Sequence, residues 1–110
     1  KNRAPAESSA EIKKRVDAAR KAQQERFKDT DINSNANMDT KALNRYCMLT
    51  PECEALMHQA FDRMGLTARS YDRILRVART IADLEGAENI EATHIAEAIQ
   101  YRTYDFRTNI

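Results

Sequence analysis

Arg69, Arg73 and Arg76 lie off the apolar stripe of one helical stretch, Gly65–Gly86, on its charged side, and they are the residues here with the clearest means of doing chemistry. Arg69 differs from the others in its setting. Thr67 can cap the helix with its hydroxyl, so Arg69 falls in the first turn, where unpaired backbone N–H groups and the positive end of the helix dipole already suit an anion. An exposed cation in that turn costs the helix about 0.3–1 kcal/mol, and a phosphate partner would give it a reason to be there. An arginine on a solvated helix face otherwise does no more than keep the helix soluble.

Other chemistry finds little support. His58, His94, Cys47 and Cys53 are the only soft metal-ligand candidates, and no two have the i, i+4 or C-x-x-C spacing of a zinc site, so no metal site is expected. His94 reads as a surface or packing residue. No phosphate-cradling glycine loop and no nucleophile elbow occurs, and Asp83 and Glu85 do not share a helix face as an acid–base pair would. A self-contained catalytic site is therefore not expected. The two cysteines, Cys47 and Cys53, read as reduced, half-buried thiols of an intracellular protein, with a disulfide between them as the lesser alternative. No apolar run reaches the length of a membrane span, and no signal peptide is visible. The chain starts inside a charged segment without an initiating methionine, which suggests a piece of something longer.

The elements that must position these residues are helical. A chain of 110 residues suits one small domain, and 32% charged residues with two glycines and 6% aromatics point to an all-α fold of exposed helices. The formal charge is only +1, from 18 basic and 17 acidic residues, so no global field draws the chain to nucleic acid or anionic lipid. Lys1–Glu7 reads as a linker. Ser8 with Glu11 matches a capping box, opening a long helix to about Lys28 with Ile12, Val16, Ala19, Gln23 and Phe27 along one narrow stripe. Residues 29–38 read as a mobile polar loop. Asp39 caps a short helix to about Cys47, and Thr50 with Pro51 starts another whose Leu56, Met57, Ala60, Phe61 and Met64 face a core before it closes at Gly65. In the Gly65–Gly86 stretch the inward stripe is Tyr71, Ile74, Leu75, Ala78, Ile81, Ala82 and Leu84 or Glu85, with Asp72 and Asp83 off it. Ile90 plugs the bundle ahead of a last helix, Ala92 to about Tyr101, with Ile95, Ala96, Ala98 and Ile99 inward and a frayed tail beyond. The division expected is residues 1–38 as linker, long helix and loop, 39–102 as a helical bundle, and 103–110 as the tail.

The run GLTARSYDRILRVARTIADLEGAENIEATHIAEAIQYR, Gly65–Arg102, resembles the C-terminal region of magnesium-chelatase-like AAA+ ATPases of the ComM and YifB type, and Glu7–Phe27 is similar to the segment following the nucleotide-binding core in that family. The resemblance implies a helical lid, joined by a long connecting helix to an upstream AAA+ core that carries the Walker motifs and uses ATP and Mg2+ in a cytoplasmic homo-hexamer. It implies that Arg69 is the nucleotide-sensing arginine called sensor 2, acting on its own or a neighbouring subunit's nucleotide, with Arg73 and Arg76 supporting the subunit interface. It further implies ATP-driven DNA remodelling by the assembled parent, as branch migration in natural transformation, with no cofactor bound by this chain alone. Two alternatives stand beside it. One is a stand-alone DNA-binding module using the basic side of the first helix with Arg73 and Arg76; the other is an interaction bundle with no nucleotide role.

Overall fold

The computed structural model describes residues 8–108, with side chains through Tyr101; the expected linker Lys1–Glu7 lies outside the described residues. The elements are α1 (Ser9–Arg26), a 3-10 turn (Asn35–Asn37), α2 (Thr40–Tyr46), α3 (Pro51–Met64), α4 (Ala68–Leu84) and α5 (Ala92–Thr108), with no strand among the described residues. The fold is an all-α bundle, as the composition predicts.

The helix starts are set by side chains that satisfy otherwise orphaned backbone donors. Ser8 Oγ accepts from the Glu11 N–H, Asp39 Oδ1 from Ala42, Thr50 Oγ1 from Cys53 and Thr67 Oγ1 from Ser70, at 2.9–3.2 Å. Two ends are set by glycine. Gly65 closes α3 at φ 63° and Gly86 follows α4 at φ 73°, in the left-handed region that a Cβ disfavours. After α4 the Ala87 N–H donates to Ala82 O and the Gly86 N–H to Asp83 O, the paired bonds of a Schellman stop.

α4 is the central helix, packed against α1, α2, α5 and the 3-10 turn. Its Ile74, Leu75, Ala78 and Ala82 join Met57 and Cys53 of α3, Leu43 of α2, Ile95 and Ala98 of α5, and Ile90 in one core. The expected stripe is right in its middle and wrong at its edges. Tyr71, Ile81 and Leu84 are only half-buried and Glu85 is exposed, while Asp83, placed off the stripe, is buried under Arg26 of α1, and Arg79 is buried against Asp83 and the carbonyls of Ala87 and Glu88. In α3 the inward line is Cys53, Met57 and Ala60; Phe61 and Met64 are exposed, the former one helical step away and edge-on to the Tyr71 ring at 6.4 Å. Ala96 of α5 is also exposed.

Three further expectations are corrected. Residues 29–38 are not a free loop, for Asn35 and Met38 are 1% exposed and hold the segment against the body. α5 runs on to Thr108 where an end near Tyr101 was expected, since no glycine or proline follows to stop it. Cys47 and Cys53 are buried outright rather than half-buried, each thiol directed at a backbone carbonyl, Leu75 O and Ile90 O respectively. Burial in that apolar setting pushes the Cys47 thiol up to about 11, the nearby arginines notwithstanding. At pH 8 the thiolate is then roughly one part in a thousand, so iodoacetamide should leave Cys47 unlabelled in the folded chain and modify it after unfolding. Mass spectrometry of the labelled protein reads this, and rapid labelling under native conditions would contradict it.

Candidate functional site

The first turn of α4 begins at the Thr67 cap, which fixes Arg69 at the second helical position. Steps of four and three then place Arg73 and Arg76 above Arg69 on the same face. All three line one open groove of about 780 Å³, so the structure brings the expected arginines together. Its remaining walls come from Val77, Thr80 and Ile81 of α4, Glu97 and Tyr101 of α5, and Ala36 of the 3-10 turn. Three guanidinium groups against one carboxylate, Glu97, make the lining net positive. The groove suits an anion with an apolar portion.

The arginines are not alike. Arg69 and Arg73 are exposed, whereas Arg76 is half-buried. Arg76 donates from Nε and Nη2 to the Met38 carbonyl at 3.0 and 2.8 Å, clasping the segment that precedes α2. A planar guanidinium can hold one acceptor along one edge and still present another nitrogen.

Behind the groove lies a buried polar cluster. Asp83 accepts from Arg26 in a two-pronged pair, Nη1 to Oδ2 at 2.9 Å and Nη2 to Oδ1 at 2.7 Å, with Arg79 Nη2 at 3.1 Å. Its side chain is 1% exposed. Asn35 fills the remaining positions, donating from Nδ2 to Asp83 Oδ2 and to Thr80 Oγ1, accepting from Arg26 Nη1, and giving its backbone N–H to Gln23 Oε1. Arg79 also donates to the carbonyls of Ala87 and Glu88 beyond the end of α4, and its Nε is left without a partner. Burial raises the Asp83 carboxyl, but the hydrogen bonds from Arg26 and Asn35 and the charges of Arg26 and Arg79 outweigh it and hold the group below the usual carboxylate range. The only local trace of it in the sequence is the four-residue step from Arg79 to Asp83, which an exposed helix pair shows equally well.

His94 serves the fold. Its Nδ1 accepts from the Glu91 N–H at 2.9 Å, which leaves Nε2 as the donor to Glu85 Oε1 at 2.9 Å. This is the reciprocal half of a capping box, with histidine in place of the usual glutamate. His58 is exposed on α3. No group of three or more His, Cys, Asp or Glu side chains among the described residues is arranged to hold a metal ion. No helix among them is long and apolar enough to cross a membrane.

The chain is similar to known proteins. The family model described as magnesium chelatase, subunit ChlI C-terminal, matches residues 6–102. The chain is 39% identical over 99 residues to the uncharacterized protein YifB of Salmonella typhimurium, covering 90% of this chain and 19% of that protein. It is 38% identical over 96 residues to competence protein ComM of Haemophilus influenzae, covering 87% and 18% respectively. To YifB of Escherichia coli it is 38% identical over 101 residues, covering 92% and 19%. The chain thus spans about a fifth of the length of these relatives. With nearly the whole bundle inside the match, the chain belongs to the magnesium chelatase ChlI C-terminal family, an AAA+-related helical lid.

Proposed function

We propose that the chain is the lid of a ring-forming AAA+ ATPase and that Arg69 senses the nucleotide held by the ring. The observation that carries this reading is the convergence of Arg69, Arg73 and Arg76 on one groove, with Arg69 exposed at the positive end of α4. A guanidinium there makes a charge-assisted contact with a γ-phosphate and loses it on hydrolysis. The two nucleotide states then differ in their contact with the lid, and that difference alone can move it. Arg73 and Arg76 support the interface at which the groove meets the nucleotide-bearing subunit.

ATP and Mg2+ belong to the assembled parent, whose phosphate-binding and metal-binding motifs lie outside these residues. The parent is a cytoplasmic homo-hexamer acting on DNA, in line with the competence role that the ComM name records for the Haemophilus relative. α1 serves as the connector between lid and core. Branch migration is the form of DNA remodelling that fits a ring motor of this kind.

On this reading the isolated chain of 110 residues folds and has no ATPase of its own. Circular dichroism should show a helical, cooperatively melting domain, and a phosphate-release assay should show no turnover above buffer. Robust hydrolysis by the isolated chain would sink the proposal, because it would require a catalytic site within the bundle.

A further inference from the structure

We infer that Arg76 is a positioning residue that links occupancy of the groove to the seating of α1. The inference rests on the reading of the groove as a phosphate site and adds how that site is coupled to the rest of the chain. Arg76 faces two ways. Along one edge, Nε and Nη2 hold the Met38 carbonyl, while the same side chain lines the groove, where the N–H groups outside that edge, those of Nη1 first, would meet an anion.

From Met38 the connection continues through hydrogen bonds. The Met38 N–H donates to Asn35 O at 3.2 Å, and the Asn35 side chain is bonded to Arg26 and Asp83. The Asn35 N–H reaches Gln23, one turn earlier on α1. Thr80, another groove residue, accepts from Asn35 Nδ2 and donates to the Arg76 carbonyl. Groove, 3-10 turn and the last turn of α1 therefore share one continuous set of polar contacts.

The shape of α1 makes this connection matter. Residues 9–15 are all exposed, and burial begins at Val16 and deepens at Ala19 and Phe27. At about 1.5 Å per residue the helix is roughly 27 Å long, so a body seated only by its C-terminal half acts as a lever. A phosphate on Nη1 fixes the Arg76 rotamer, and a side chain ordered by one partner loses less freedom on meeting the other. Anion binding and the grip on Met38 thus reinforce each other, and by linkage the effect is reciprocal.

The test is amide hydrogen exchange of the full-length protein carrying this chain, with and without adenylyl-imidodiphosphate and Mg2+, in the wild type and in Arg76→Lys. Lysine keeps the charge but cannot hold one carbonyl along a planar edge while presenting a further nitrogen. In the wild type the analogue should slow exchange in the first turn of α4 and, by about fivefold, in the last turn of α1 and residues 35–38, a factor at the low end of ordinary coupling between sites. In Arg76→Lys the first turn of α4 should still respond while α1 no longer does. A purely structural Arg76 would instead give faster α1 exchange in both states with the response to nucleotide intact, which overturns the inference. A wild type in which α4 responds and α1 does not overturns it as well, leaving the groove reading in place. Silence at the first turn of α4 overturns the groove reading and the inference together.

Discussion

Replacing Asp83 by asparagine should destabilise the isolated domain by about 3–5 kcal/mol, the usual cost of removing one partner from a buried ion pair. The reason is what stays behind. Arg26 and Arg79, with side chains 14% and 5% exposed, keep their charges and lose the carboxylate that neutralises both. Asparagine can accept from one arginine but cannot balance two cations, and its amide group points N–H donors at groups that already donate. For a domain of about 100 residues a loss of this size lowers Tm by more than ~10 °C. Arg26→Ala should cost less, because Asp83 keeps Arg79 and Asn35. Urea melts of the two variants read the ranking, and an Asp83→Asn domain as stable as the wild type would mean that the cluster is incidental to the fold.

The same carboxylate sets an acid limit. Its folded-state pKa lies below the unfolded value of about 3.9, so its contribution is fully present above that value and is lost as pH falls through the lower folded pKa. Stability of the wild type should therefore drop on acidification below about pH 4, and Asp83→Asn should lack that part of the decline. Asp17 and Glu25 are also held low, by hydrogen bonds from Lys13 and Lys28, but these pairs lie on the surface. Repeating the titration in 1 M salt separates them, since exposed pairs are screened and the buried cluster is not.

The sequence made the local elements legible because their signals are local. Ser8, Asp39, Thr50, Thr67, Gly65 and Gly86 each act on backbone groups within a few residues, so caps and stops could be read one at a time. The centrality of α4 was also legible, through its apolar stripe. What escaped was set by packing between distant segments. Asp83 and Arg26 are 57 positions apart, and nothing near either residue shows that α1 will cover that side of α4. Asn35 looked like one more polar loop residue, yet its amide is the piece that fits between Arg26, Thr80 and Asp83. The three arginines of the groove could be placed on one helix from the sequence, but the wall opposite, with Glu97 and Tyr101, required α5 to fold back along α4.

Arg69→Ala in the full-length protein should lower ATP turnover by about a hundredfold or more, in the range found when one preorganised donor to developing charge is removed. The side chain is exposed and caps no helix, so the variant domain should melt near the wild-type temperature. Loss of rate with an intact fold is what separates a nucleotide contact from a structural one. Arg76 cannot serve as the neutral comparison on this helix, because it holds the Met38 carbonyl. Arg63, exposed in the last turn of α3 and outside the groove, is the better control. Whether Arg69 senses the nucleotide is decided by the steady-state ATPase rate of full-length wild type, Arg69→Ala and Arg63→Ala, with folding followed by circular dichroism. Turnover should collapse in Arg69→Ala alone. Equal rates in all three would contradict it, leaving Arg69 a surface residue and the groove without a part in hydrolysis.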